Sequence, residues 1–339
     1  MKTHDLEPIK PQDAVDLYLT HRKREVTQAT LNSHRSRLQF FTRWCAHNNI
    51  TNLNTLTGRK LHQYRLWRRT DGDLAPTSEK TQMDTIRVFI RFLETIDAVH
   101  PDLHTKVLSP DLDNNENIRT DILTNQTAHT ILKHLEKYHY ASRPHITLLL
   151  MWHTMMRRGA IRALDTTDFH PNQQYLQIRH RPETDTPLKN KTNGERTVAL
   201  SEKTTTTLTD WIETNRPNTT DQHGREPLLT SKHGRIHRTT PTKITYNWTR
   251  PCRIGHDCPI DRNPDTCEAA TYNTASLCPE SVSSHAIRRG AITHHLKSDV
   301  PSDVVSERAN VGYEVLEAHY DQRSEITKME QRRKYLSNI

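Results

Sequence analysis

Apolar residues in the first hundred or so positions recur with a helical period. Behind Pro11 and Asp13, the positions Ala14, Val15, Leu17, Tyr18 and Leu19 predict a first short helix. Thr27 reads as the N-cap of a second, in which Leu31, Leu38, Phe41 and Cys45 share a face. A third run carries Arg59, Lys60, Arg65, Arg68 and Arg69 around a thin apolar stripe, and its outer side is expected to contact phosphates. Pro76 opens a fourth, with Met83, Ile86, Ile90 and Leu93 inside.

The periodicity then breaks. Residues 109–120 carry acidic residues, a proline and three asparagines, which predict a linker between a helical domain over 1–108 and a second domain over 121–339. Helical spacing resumes at once. Two short β-rich stretches follow, over 172–181 and 194–201, separated by a polar loop as in a small sheet. Helix returns near the end, at 283–296, and in a tail over 324–336 that sets Ile326, Met329 and Leu336 nearly on one side. The pattern predicts a mainly α chain with a small β-sheet (α+β).

Composition narrows the partners. The 339 residues carry a formal net charge of +8, and 22 histidines add to it below neutral pH. Such a chain suits a polyanion, of which nucleic acid is the usual one. No apolar run approaches the ~18 residues that a membrane span needs. The N-terminus has no apolar core of a signal peptide, so a cytoplasmic, nucleoid-associated protein is expected.

Four short motifs carry the candidate chemistry. "TMMRRGAIRALDTTDF" (154–169) sets Arg157 at a turn into a helix, with Arg158 as its rival. "LKNKTNGERTVAL" (188–200) offers Lys191 at the tip of the strand pair, and Lys189 competes with it. "SSHAIRRGAITHHL" (283–296) puts His285 and Arg288 one turn apart on one helical face, while Arg289 points about 100° away. "NVGYEVLEAHYDQRS" (310–324) holds Tyr320, with Tyr313 as an alternative nucleophile.

In this order and spacing, the motifs over about 121–325 resemble the catalytic domain of tyrosine recombinases, the phage-integrase family. The context of Tyr320 and the dense histidine-arginine run look most like integrases of archaeal proviruses and viruses. The N-terminal helices look like that family's core-binding domain.

The resemblance implies a site-specific DNA strand transferase that integrates or excises a mobile element. Tyr320 would attack a phosphodiester to form a 3′-phosphotyrosine and release a 5′-hydroxyl. Arg157 and Arg288 would clamp the phosphate as always-charged forks. His285 would bond the phosphate or handle the nucleophile's proton, and Lys191 would protonate the leaving oxygen. Since the phosphotyrosine stores the bond energy, no cofactor is expected for catalysis. The expected partners are double-stranded attachment sites and three further copies in a homo-tetramer on DNA, with the tail helix packing onto a neighbouring copy or its own domain. Alternatives are a resolvase- or topoisomerase-like activity on the same fold, and a DNA-binding accessory protein that has lost catalysis.

The chain departs from the family pattern at three places. Ala160 stands where a carboxylate usually follows the first arginine, Met155 replaces a glycine, and Val311 falls where a His or Trp phosphate donor is usual. Arg308, Asn310, Tyr313 and His319 are candidates for the missing donor. Separately, the segment 252–278 groups Cys252, Cys258, Cys267 and Cys278 with His256, as C-x5-C-x8-C-x10-C. Poor in apolar residues, it needs something to order it. A structural zinc on four thiolates, or on three with His256, is a candidate. Disulfides or unliganded thiols are the alternatives. Cys45 reads as plain core.

Overall fold

The computed structural model describes residues 5–112, 121–321, 323–333 and 336. The chain forms two compact units, Met1–Arg119 and Thr120–Ile339. Most of the expected linker, 113–120, lies outside the described residues.

The first unit is built from α1 (Pro11–Arg22), α2 (Gln28–His47), α3 (Gly58–Asp71) and α4 (Pro76–Glu94). Thr27 caps α2 by accepting from the Thr30 amide, and Thr57 caps α3 through the Lys60 amide. Prolines open α1 and α4 at a position whose missing N–H costs nothing. The core is aromatic. Phe41 meets Tyr64 and Phe89 edge-on, with centroids 5.3 and 5.8 Å apart, and Tyr18 meets Phe89 at 5.4 Å.

The third helix does not present all its cations outward. Arg65 Nε and Arg69 Nε donate to the buried Glu79 of α4 at 2.6 and 2.8 Å. Arg68 is buried over the Phe40 ring and bonds Gln82. Three of the five cations therefore bind α3 to its own unit. Burial pushes the Glu79 carboxyl pKa up, but the bonds from Arg69 and Arg65 outweigh it and hold it below the ordinary value.

The second unit begins with α5 (Asn125–Tyr138), the apolar α6 (Arg143–Thr154) and the short α7 (Arg158–Ala163). An antiparallel sheet follows, of β1 (Phe169–His170), β2 (Tyr175–Ile178) and β3 (Arg196–Ala199) in that order, with Leu176 opposite both Phe169 and Val198. Under it, the fully buried Asp168 takes both Arg181 Nη atoms at 2.9 and 2.6 Å. Next come α8 (Glu202–Asp210), the small pair β4 (Thr230–Ser231) and β5 (Gly234–Arg235), and α9 (Thr240–Trp248). The unit ends with α10 (Ser284–Lys297), α11 (Ser302–Ala309), α12 (Tyr313–His319) and α13 (Glu325–Arg333). The chain is thus mainly helical with a small sheet.

Helix α10 is the axis of this unit and packs against α5, α6, α9 and α11. Ala286, Ile287, Ala291, Ile292 and Leu296 are buried. The chain entering the unit crosses α10 closely: the Leu123 amide donates to Ala286 O at 3.1 Å, and Arg289 bonds the Asp121 carbonyl and carboxylate at 2.6 Å. Gly290 makes this crossing possible, because a Cβ there would lie 1.9 Å from Leu123 O.

Candidate active site

Ser283 caps α10 and sets the first turn, which carries His285 and Arg288. Arg288 is 2 % exposed. Its Nη1 donates to the carbonyl of Met155, the residue that ends α6 in a left-handed conformation (φ 54°). Its Nη2 is buried without a hydrogen-bond partner. A buried guanidinium donor left unpaired costs free energy that a ligand oxygen would recover.

Arg157 comes from the other side, at the N-cap of α7. Its Nη1 donates to the Asn310 carbonyl at 2.8 Å and to Asn310 Oδ1 at 3.3 Å. Asn310 ends α11 at φ 52°, a conformation that asparagine tolerates. Its Oδ1 also accepts from Asn190 Nδ2 at 2.6 Å, and its Nδ2 donates to Asn193 O at 2.8 Å. With Ala160 buried where a carboxylate was expected, a neutral amide holds Arg157 and fastens the β2–β3 loop to it.

Arg157, Arg288 and His285 line one cleft of about 240 Å³ with Arg158, Lys189 and Arg196. Among the described residues, no Asp or Glu lines it. Its electrostatics follow from that. Burial, then Arg157, push Arg288 down to about 10, against the raising influence of Tyr320. Burial, then Arg288, Arg157 and Arg308, push Arg196 down to about 10. Burial lowers Arg157, with Tyr320 opposing. His285 falls through desolvation and then the nearby Arg288, Arg158, Arg289 and Lys189, so its imidazole is neutral at pH 7. A cleft that concentrates cations against their own repulsion is organised for an anion.

Tyr320 follows α12 and packs on the core, where Thr293 Oγ1 donates to its carbonyl at 2.9 Å. Its side chain lies within electrostatic reach of Arg288 and Arg157, whose proton affinities it raises. Tyr313 is exposed and lines a different cavity, between the 299–303 loop and the tail. The structure therefore brings Arg157, His285, Arg288 and Tyr320 together.

Lys191 is not brought in. It lies at φ 52°, at the start of a tight turn over Lys191–Gly194 whose flanks Asn310 holds, and it is exposed outside the cleft lining. Lys189 lines the cleft instead. Arg289 is engaged with Asp121, and Arg158 donates to Thr242 Oγ1 at 2.7 Å from the cleft rim.

Among the candidates for the missing donor, Val311 itself is core. Arg308 bonds His153 O at 2.9 Å, and Asn310 spends its amide N–H on Asn193. The side chain of His319 lies outside the described residues. Arg196 lies in the same 188–200 stretch as the two lysines but was not a sequence candidate. Its position on β3, facing the base of α10, is a long-range property that the local pattern does not carry.

Cys252, Cys258, Cys267 and Cys278 border one cavity of about 20 Å³, room for a single water-sized body. The expected zinc shell is not assembled, however: among the described residues no three His, Cys, Asp or Glu side chains are arranged to hold a metal. His256 is exposed and does not line the cavity. The buried Arg250 helps to order the segment through bonds to Ala269 O, Asn247 O and Asn247 Oδ1. Arg253 stacks on Trp248 at 4.6 Å, and the Val282 amide bonds Thr249 Oγ1 at 3.0 Å.

The tail helix turns none of its residues into the core: Ile326, Met329 and Leu336 are 72, 42 and 64 % exposed. Gln331 Nε2 bonds Leu296 O at 3.0 Å. No helix among the described residues is long and apolar enough to cross a membrane.

Comparison with known proteins identifies the fold and the family. Residues 121–311 match the model of the phage integrase family. The Tn1549 transposon integrase in complex with transposon right-end DNA is similar over 97 % of this chain and 100 % of its own, at 11 % identity and a TM-score of 0.65. A lambda integrase tetramer bound to a Holliday junction is similar over 94 % of this chain and 80 % of its own, at 13 % identity and a TM-score of 0.63. The N-terminal domain of a phage integrase/site-specific recombinase from Haloarcula marismortui is 36 % identical over 31 % of this chain and 99 % of its own, with a TM-score of 0.30. No curated protein matches the sequence. With its family match spanning more than half the chain and ending beside the cleft that four arginines line, this protein belongs to the phage integrase family of tyrosine recombinases.

Proposed function

We propose that this protein cleaves and rejoins double-stranded DNA at specific sites through a 3′-phosphotyrosine on Tyr320, to integrate or excise a mobile element. One observation carries the reading: a buried, unpaired Arg288 donor in an acid-free cationic cleft, beside a tyrosine side chain. The Tyr320 oxygen attacks the scissile phosphorus, and the bond from phosphorus to the 5′-oxygen breaks. Arg157 and Arg288 take the charge that builds on the non-bridging oxygens. The neutral His285 accepts the phenolic proton or bonds the phosphate. The departing 5′-oxygen takes a proton from a lysine of the 188–194 loop. Lys189, which lines the cleft, is one candidate for this, and Lys191 would serve if the loop rearranges on DNA. A 5′-hydroxyl from a second duplex reverses the step.

The exposed apolar stripe of the tail supports assembly of several copies on DNA, and a tetramer is the form we favour. The test is a nicked suicide duplex carrying the element's end sequence. Wild type is expected to leave a covalent protein–DNA band that Tyr320→Phe abolishes. Tight binding without a band would favour an accessory DNA-binding role and overturn the proposal.

A further inference from the structure

Resting on that reading, we propose that Arg196 is a third phosphate ligand of the cleft and supplies the donor missing at Val311. Arg196 sits at the start of β3 and lines the same cleft as Arg157 and Arg288. It is partly buried, with no carboxylate in contact. Its Nε donates to Arg308 O at 2.9 Å and its Nη1 to Gly194 O at 2.8 Å. Two carbonyls thus fix the plane of the guanidinium but leave its charge unbalanced, and among the described residues its Nη2 makes no hydrogen bond and it has no carboxylate partner.

A purely structural arginine in such a place would gain from an acidic partner, as Arg65, Arg181 and Arg235 do elsewhere in this chain. Arg196 has three arginines around it instead, and burial together with Arg288, Arg157 and Arg308 lowers its proton affinity. The arrangement becomes favourable when an anion enters. Three forks around one phosphate can share its non-bridging oxygens, and each needs one free donor. Arg288 has the buried Nη2, and Arg196 bonds the protein through Nε and Nη1, leaving Nη2 to a ligand. Among the other donors weighed for this role, Asn310 spends its amide N–H on Asn193, Arg308 does not line the cleft and Tyr313 lines another cavity, while the side chain of His319 lies outside the described residues.

The experiment compares the full-length wild type with Arg196→Met and Arg196→Lys in two assays. In the first, inorganic phosphate is titrated against matched chloride and the thermal midpoint is followed. Relief of repulsion offsets the two lost carbonyl bonds in Arg196→Met, so its midpoint without phosphate is expected within a few degrees of wild type. Its phosphate-induced rise should fall to less than half of the wild-type rise. In the second assay, covalent complex formation on the nicked duplex is timed at saturating DNA. Loss of one transition-state donor should slow Arg196→Met roughly 10²–10³-fold, and Arg196→Lys should recover part of this through its charge.

A large fall in the midpoint, with an unchanged phosphate response and an unchanged rate per folded molecule, would make Arg196 a structural tie and overturn the inference. If wild type forms no covalent complex, the recombinase reading fails by itself. The phosphate titration then still decides Arg196, and an unaltered response in Arg196→Met rejects it.

Discussion

Gly290→Ala separates two views of the α10 axis because they differ in sign. In an ordinary helix interior, alanine in place of glycine stabilises by about 1 kcal/mol through backbone entropy and solvation. At Gly290 the new Cβ would lie 1.9 Å from Leu123 O and 2.9 Å from Leu123 C, both backbone atoms. Neither can rotate away. The crossing segment must move by more than 1 Å to restore contact distance, which breaks the Leu123–Ala286 bond and loosens Arg289 from Asp121. Overpacking of this kind costs about 1–3 kcal/mol, and a lost backbone bond adds roughly 1 kcal/mol. After the propensity gain, a net loss of about 1–3 kcal/mol remains. For a unit of this size that lowers the thermal midpoint by roughly 2–12 °C. Differential scanning calorimetry of the full chain measures it. Because Arg288 is two residues away on the same helix, covalent complex formation should fall in parallel. A midpoint that rises by 2–4 °C would refute the close crossing.

Other perturbations test other parts. Asn310→Gly keeps the left-handed backbone and removes only the side-chain bonds to Arg157, Asn190 and Asn193. It should slow covalent complex formation about tenfold at saturating DNA, with duplex affinity and thermal midpoint nearly unchanged. His285 is lowered by desolvation and four cations, so the acid limb of the second-order cleavage rate should fall below pH 6.5 and vanish in His285→Asn. A limb above 6.5 would contradict the desolvated, cation-flanked site. In the first unit, Glu79→Gln should cost about 1–3 kcal/mol in chemical denaturation. Since Arg69 and Arg65 hold the Glu79 pKa below its ordinary 4.5, that stabilisation is present above 4.5 and is lost as pH falls through the lower folded value.

The local pattern revealed the helices, because burial of Leu38, Phe41, Ile86 and Ile90 leaves a 3.6-residue period in the chain. It also revealed the strand pair and the stretches that carry Arg157, His285 and Arg288, which line one cleft in the fold. What it could not reveal depends on partners distant in sequence. The cations of α3 looked like a DNA-facing surface until Glu79, ten residues beyond Arg69, took two of them. Lys191 fitted the motif spacing, yet Asn310, more than a hundred residues away, holds the loop that leaves it exposed. Arg196 lies in the same stretch as the two lysines, but its place in the cleft depends on Arg288 and Arg308, about a hundred residues away. The cysteine spacing suggested a metal, and it carried no sign of the buried Arg250 that bonds Ala269 and Asn247 in that segment. Spacing reports neighbours on one element, and these four cases turn on neighbours across elements.

The most direct test of the central claim is to locate the DNA on the protein. Wild type is trapped on the nicked duplex, digested with nuclease and trypsin, and the nucleotide-bearing peptide is fragmented by mass spectrometry. The account predicts a phospho-nucleotide adduct on Tyr320, in the peptide that follows Arg308. An adduct on Tyr313, or a bound but unmodified chain under conditions where the duplex is saturated, would contradict it.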